Sequence, residues 1–90
     1  MKVTVKALVG AADATLLTTV KFGDGAFLQN LGPGILYIGP DTAVVAANGF
    51  QVPVLVAPYY GCDIQPYVGP IYGFASGGNC SVRILKNSDT

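Results

Sequence analysis

The side chains that most often do chemistry in proteins are few in this sequence. It contains no histidine and no glutamate, and its carboxylates and thiols are Asp13, Asp24, Asp41, Asp63, Asp89, Cys62 and Cys80. General acid–base catalysis most often uses His, and without His neither Cys has its usual activating base. Except for Asp63, the aspartates lie beside turn residues, in loops or near a chain end, where Asp favours local backbone hydrogen bonds. We therefore predict that the chain is not an enzyme.

Metal and phosphate sites are not predicted either, and we expect no cofactor. Two Cys with no His cannot form a tetrahedral zinc site within one chain. The glycine-rich stretches 32–34 and 77–79 lack the Gly-Lys-Ser/Thr ending that holds phosphate and Mg²⁺. Two interpretations of Cys62 and Cys80 stay open: small buried hydrophobic residues, or a disulfide formed after release from the cell.

Three tyrosines in an uncharged, proline-broken stretch are candidate binding residues: Tyr59, Tyr60 and Tyr67. Tyr combines a large apolar area with a polar tip, which suits a surface that becomes buried against a partner. Ordinary packing of a loop over the core would use the same side chains. Stacking against sugar rings is a third possible use.

The composition is apolar for so short a chain, with 51% hydrophobic residues and a mean hydropathy of +0.51. A domain of 90 residues has too much surface to hide all of these side chains by itself. The five cations and five anions balance, which argues against nucleic-acid binding, and the apolar content argues against disorder. The surplus apolar surface is expected to face a second copy or a larger assembly.

A membrane location is not expected. The uncharged stretch 42–62 is interrupted by Pro53, Pro58 and several glycines, whereas a spanning helix needs an unbroken apolar run. The first residues alternate between apolar and polar and do not resemble a signal peptide, so we expect synthesis and retention in the cytoplasm of the producing cell.

The sequence pattern predicts an all-β fold. Twelve Gly, six Pro and abundant Val, Ile, Thr, Tyr and Phe are typical of short strands joined by turns. The expected strands are 2–9, 14–22, 26–30, 35–38, 42–47, 52–57, 63–66, 71–75 and 80–86, of which 52–57 and 63–66 are the least regular. Turns are expected at 10–13, 23–25, 31–34, 39–41, 48–49 and 76–79. We predict one domain, 1–90, with a polar tail, 87–90: a β-sandwich or small β-barrel of about eight short strands, jelly-roll-like, whose strand order the sequence does not reveal.

Strand alternation also predicts an interface. Leu8, Leu17 and Leu85 fall on the same strand faces as lysines or Arg83. In a monomer these leucines would be exposed, and in an oligomer they would lie between copies. With the three tyrosines they form the predicted partner interface.

The stretch from Phe27 to Leu85 resembles small virion proteins of tailed bacteriophages, and two segments carry the resemblance. The first is LQNLGPGILYIG at 28–39, with ANGFQVP downstream at 47–53, and the second is IYGFASGGNCSVRIL at 71–85. Head-decoration and minor structural proteins of this kind have similar glycine turns and a similar C-terminal strand. The chain departs from the pattern at Gly73 and Phe74, where Ala and Ile are usual, and in the Tyr-rich stretch 58–67.

The resemblance implies a capsid decoration or cement protein that stabilises the head by binding across capsid subunits. Its partner would be the major capsid protein or another virion protein, and it would act as a homo-oligomer, a trimer first and a dimer second. It would be made in the host cytoplasm and reside on the capsid surface. The alternative function is a small fibre- or tail-associated adhesin or carbohydrate-binding module.

Overall fold

A computed structural model describes residues 1–22, 25–54, 61–64 and 67–86. Within these ranges the chain is all-β, as predicted, and no helix occurs. The described residues form six strands: β1 (Lys2–Leu8), β2 (Thr15–Val20), β3 (Ala26–Gly39), β4 (Phe50–Val52), β5 (Cys62–Ile64) and β6 (Gly69–Lys86). All strand pairs are antiparallel and belong to one sheet.

Two long strands, β3 and β6, organise the sheet by pairing with each other from Ala26↔Lys86 to Gly39↔Tyr72. The predicted turns at 31–34 and 76–79 are therefore wrong as chain reversals. Both stretches instead lie inside long strands, where the register shifts between Asn30 and Ile35. The predicted strands on either side of each stretch merge, which is the main reason for six strands instead of about eight.

The remaining strands pair with the outer edges of β3 and β6. On β6, β1 pairs with the C-terminal part and β2 with the N-terminal part. On β3, β5 pairs with the N-terminal part and β4 with the C-terminal part. The result is two half-sheets that share both long strands, in the orders β1–β6–β3–β5 and β2–β6–β3–β4.

The two half-sheets meet where glycine backbones touch, at a region that we call the crossing (31–34 of β3 and 76–79 of β6). A Cβ built on Gly34 would collide with the carbonyl oxygen of Gly78, and one on Gly10 would lie 2.7 Å from the same oxygen. Real Cβ atoms do not come this close to backbone atoms. These glycines therefore allow three chain segments to approach more closely than side chains would permit.

Asn30 fixes the irregular part of β3 at the crossing. Its Nδ2 donates to the carbonyl oxygens of Gly34 (2.9 Å) and Val52 (3.1 Å), and its Oδ1 accepts from the Gly32 N–H (2.8 Å). The side chain is 1% exposed. It therefore provides hydrogen-bond partners for two backbone groups of the irregular part of β3, at Gly32 and Gly34, and for one of β4, at Val52, as buried backbone groups require.

One hydrophobic core draws on both half-sheets. Its fully buried large members include Leu28 and Ile84 from the first half-sheet and Leu36 and Val20 from the second. Burial of each such side chain contributes about 1.5–3 kcal/mol. Lys86, at the end of β6, is also buried and donates from Nζ to the Thr19 carbonyl oxygen of β2 at 2.9 Å.

The segment between β3 and β4 is not the strand that its apolar residues predict. Residues 42–47 form turns, and of the apolar side chains there only Val44 is buried. Of the strand predicted at 52–57, only Val52 lies in a described strand, as the last residue of β4, and the strand predicted at 63–66 overlaps β5 at 63–64. Residues 23–24 of the predicted turn, residues 55–57 of the predicted strand 52–57, residues 65–66 of the predicted strand 63–66 and the tail 87–90 lie outside the described residues. None of the described elements is a helix long and apolar enough to cross a membrane.

Candidate functional site

A groove of about 470 Å³ opens between the two half-sheets. Its described lining residues are Ile38, Gly39, Pro40, Asn48, Phe50, Asp63, Ile64, Tyr67 and Ile71. Ile38 and Phe50 face each other in the β3–β4 ladder of the second half-sheet, whereas Asp63 and Ile64 belong to β5 of the first. The groove therefore lies where the separation of β4 from β5 leaves the core uncovered.

Apolar side chains dominate the lining. Ile38 and Ile71 are 7% and 3% exposed and form the floor, while Phe50 at the rim is 61% exposed. Concave sites that bind ligands or partners combine this kind of apolar lining with a few polar groups. Among the lining residues that the structure describes, Asp63 supplies the only charge.

Tyr67 is the one predicted tyrosine that the structure describes, and it lies in the groove wall. Its hydroxyl donates to the Pro70 carbonyl oxygen at 2.6 Å, and its ring packs against the core. The phenol is therefore already hydrogen-bonded within the protomer, and what it offers to a ligand is ring surface. Tyr59 and Tyr60 lie outside the described residues.

The turn that carries Pro40 and Asn48 is held by side-chain hydrogen bonds. Asn48 Oδ1 accepts from the Val45 N–H at 2.8 Å, and its Nδ2 donates to the Ala43 carbonyl oxygen at 3.2 Å. Gly49 follows, where a Cβ would lie 2.6 Å from Cβ of Tyr37. The Asn48-Gly49 pair forms a turn, as the sequence predicts, and places Asn48 on one side of the groove.

A smaller cavity of about 140 Å³ shares Phe50 with the groove and extends to Gly61 and Cys62. Burial raises the pKa of the half-buried Cys62 thiol, and the neighbouring Asp63 carboxylate raises it further. Burial also raises the pKa of the Cys80 thiol, partly offset by a hydrogen bond to the Gly34 backbone. Both cysteines are unpaired, and raised pKa values make them weak nucleophiles at neutral pH.

A second exposed apolar surface lies on the edge strand β1. The side chains of Val3 and Val5 and the next residue of that row beyond the strand, Val9, are 59%, 57% and 66% exposed. We call these three residues the β1 row. Among the described residues, β1 pairs only with β6 and is the outermost strand of the sheet on that side.

The structure corrects the faces predicted for Leu8 and Leu17. Both are 3% exposed and belong to the core, so neither offers apolar surface in the protomer. At Leu17 the reason is a register shift between Leu16 and Thr18, which turns the intervening side chain inward. On β1 the alternation is regular, but the valines face outward and Leu8 faces the core beside Cys80.

Leu85, the third predicted leucine, is half-buried between Val3 and Phe27 in the ladders of β6. Sequence reasoning missed the groove, because its walls come from four separated segments. It also missed the β1 row, because Lys2 and Lys6 suggested that the opposite face of β1 was the outer one. Both faces of β1 are in fact exposed over most of its length.

In the described part of the chain, no three His, Cys, Asp or Glu side chains come together in a way that could hold a metal ion. Comparison with known proteins finds no matching family model, no matching curated protein and no matching solved structure. The resemblance to phage virion proteins thus stays a prediction from the two sequence segments that carry it.

Proposed function

We propose that this chain is a structural protein of a bacteriophage virion, a capsid decoration protein that binds across neighbouring capsid subunits and stabilises the head. The observation that carries the proposal is the β1 row on the outermost strand. Its valines are more than half exposed, although each would gain free energy from burial. Surface of this kind in a small protomer marks a site for association.

Strand β1 is suited to binding because its outer edge has no strand partner among the described residues. An open edge presents backbone N–H and C=O groups to another chain, and an apolar row beside it adds side-chain contacts. Many copies on one shell would add such weak contacts by multivalency. A protein that acts in this way needs no catalytic group, cofactor, nucleic acid or membrane.

We infer that the two half-sheets close on each other as a jelly-roll-like sandwich or a small barrel. Two observations support this finer description. The core contains residues from both half-sheets, and Lys86 of the first reaches the backbone of Thr19 in the second. We further propose a homo-oligomer, trimeric or dimeric, on the capsid surface, with the major capsid protein or another virion protein as its partner.

The test is cryo-electron microscopy with mass spectrometry of particles released by the cells that make the protein. The proposal predicts many copies per particle, with density for the chain on the head lattice. Replacement of Val3, Val5 and Val9 by Thr, which keeps strand propensity, is expected to reduce the copy number. Particles that contain none of the protein would refute the proposal.

A second candidate function, a carbohydrate-binding module on a fibre or tail, is favoured by one feature of the groove. Tyr67 and Phe50 place two aromatic rings beside the polar side chains of Asp63 and Asn48, a combination that suits a sugar. A glycan array of the protein with Tyr67→Ala, and with Tyr59→Ala and Tyr60→Ala, tests it. Binding that depends on these tyrosines would support the module, and absence of binding would remove it.

A further inference from the structure

The most exposed large aromatic side chain among the described residues is Phe22, which leaves 93% of its surface in solvent. It follows β2 by two residues, just beyond the pair Val20↔Gly69. Burial of a Phe side chain contributes about 1.5–3 kcal/mol, so this position forgoes stabilisation unless another surface covers it. Val68, at the same end of the β2–β6 ladder, is also 54% exposed.

The groove reaches the end of the β2–β6 ladder at which Phe22 lies. Tyr67, in the groove wall, precedes Gly69 by two residues, as Phe22 follows Val20 by two. Because Val20 and Gly69 are paired, Phe22 and Tyr67 lie at the same end of the ladder. A two-fold axis at that end can therefore place each Phe22 in the groove of the other copy.

We propose that the groove is the docking site for Phe22 of a second copy of this chain, in a reciprocal dimer. The proposal deepens the self-association part of the proposed function and rests on it. The volume of about 470 Å³ accommodates an aromatic side chain, and its floor and walls at Ile38, Ile64 and Ile71 are apolar.

Charge also matches across the proposed contact. Lys21 precedes Phe22, while Asp63 is the only charged residue in the described part of the groove lining. Lys21 also makes an interaction within its own protomer. Opposite potentials on the two surfaces favour this orientation of the two copies.

Reciprocity follows from the area that a stable dimer needs. A specific interface buries about 1,200–2,000 Å² in total, and one buried Phe supplies only about 150–250 Å². Two exchanged phenylalanines double that contribution. The exposed rims at Phe50 and Val68, counted on both copies, add the apolar surface around each insertion.

A second copy suits the groove better than a sugar does. Its polar side chains are Asn48, Asp63 and Tyr67, and two of these already hydrogen-bond within the protomer. Sugar recognition requires several hydrogen bonds to hydroxyl groups, whereas an aromatic side chain requires an apolar cavity. The remaining lining residues provide such a cavity.

The test uses the full chain with two complementary variants. Phe22→Ser removes the inserting side chain and keeps the groove. Phe50→Ser alters the groove rim and keeps Phe22. Both replaced side chains are mostly exposed, so each variant is expected to fold, as circular dichroism would verify. Val45→Ser, also a change from an apolar to a polar side chain, at 42% exposure and outside both the β1 row and the described groove lining, is the matched control.

Sedimentation velocity at micromolar concentration provides the measurement. We expect a dimer for the natural sequence and for Val45→Ser, at least a tenfold weaker association for each phenylalanine variant alone, and heterodimers when the two variants are mixed. Mixing restores one of the two insertions, which misfolding could not do. A Phe22→Ser protein that associates like the natural one, or a mixture that stays monomeric, would overturn the proposal.

The decoration function and the dimer contact can be refuted independently of each other. Attachment of the Phe22→Ser variant to particles measures the decoration function without the dimer contact. Saturable binding of a glycan in the groove of a monomeric natural protein would overturn the dimer and support the carbohydrate alternative.

Discussion

The crossing and the exposed apolar surfaces use residues of the same sheet in opposite ways. At the crossing, glycine backbones are in contact and Asn30 makes three buried hydrogen bonds. At the groove rim and on the β1 row, Phe50 and Val5 leave 61% and 57% of their surface in solvent. The contacts at the crossing stabilise the fold of the protomer. The side chains at the groove rim and on the β1 row are accessible to a binding partner.

The largest effect is expected from removal of the Asn30 side chain. Asn30→Ala removes the hydrogen bonds that two carbonyl oxygens and one N–H make in a buried position, each at about 1–3 kcal/mol. We expect a loss of about 3–5 kcal/mol in the free energy of unfolding, measured by urea denaturation.

Asn79→Ala is the control for that variant. The Asn79 side chain accepts one exposed hydrogen bond, from the Gly10 N–H at 2.8 Å, and its loss is expected to cost about 0.5–1.5 kcal/mol. Equal losses in the two variants would contradict the role assigned to Asn30.

The second-largest loss of stability is expected when a side chain is added where the Gly34 backbone approaches the Gly78 backbone. Gly34→Ala places a methyl group against the Gly78 carbonyl, which is backbone and cannot rotate away, so we expect a loss of about 3 kcal/mol. Gly77→Ala meets no atom within 4 Å, but its φ of 75° strains an Ala by about 1–2 kcal/mol. Thermal unfolding of both variants distinguishes the cost of a steric clash at Gly34 from the cost of backbone strain at Gly77. A larger loss for Gly77→Ala would contradict the packing at the crossing.

The two faces of β1 provide a third, smaller contrast. Leu8→Ala removes a core side chain and is expected to cost about 2–3 kcal/mol, whereas Val5→Ala, on the same strand, is expected to cost less than about 0.5 kcal/mol in the protomer. Chemical denaturation of both variants at low protein concentration measures the difference. Similar losses would mean that the β1 row is covered within the protomer.

The smallest effect concerns the Cys62 thiol. Its raised pKa predicts that alkylation by iodoacetamide, followed by mass spectrometry of the Cys62 peptide, accelerates at higher pH than for an unfolded thiol. Asp63→Asn should lower that pH only in part, because burial, the larger cause, remains. Since the folded pKa lies above the unfolded one, the thiol's contribution to stability is complete below the unfolded pKa and is lost as the pH rises through the folded one. An Asp63→Asn profile equal to that of the unfolded chain would contradict this account.

Composition and alternation predict the all-β class, the approximate positions of most strands and the turn at Asn48-Gly49. They fail at 31–34 and 76–79, because Gly and Pro signal a turn locally, whereas here two such stretches pack against each other inside long strands. No local pattern reports that contact between residues far apart in sequence. Burial of Leu17 depends on a register shift for the same reason.

The candidate site is predicted less well than the fold. Tyr67 is found in the groove wall, but Leu8 and Leu17 are core residues. Exposed apolar side chains lie instead at Val3, Val5 and Phe50. The expectation that a small apolar chain leaves such a surplus comes from its size and composition. Its position depends on which strand face meets the core, and Lys2 and Lys6 mislead on that point because both faces of β1 are largely exposed.

The most direct test of the central claim is the absolute mass of the natural protein in solution. Light scattering behind a sizing column at micromolar concentration should give a multiple of the 9.3 kDa protomer mass, and twice that mass for reciprocal exchange of Phe22. A mass of 9.3 kDa that persists as the concentration is raised would contradict the claim that a second copy covers the exposed apolar surface.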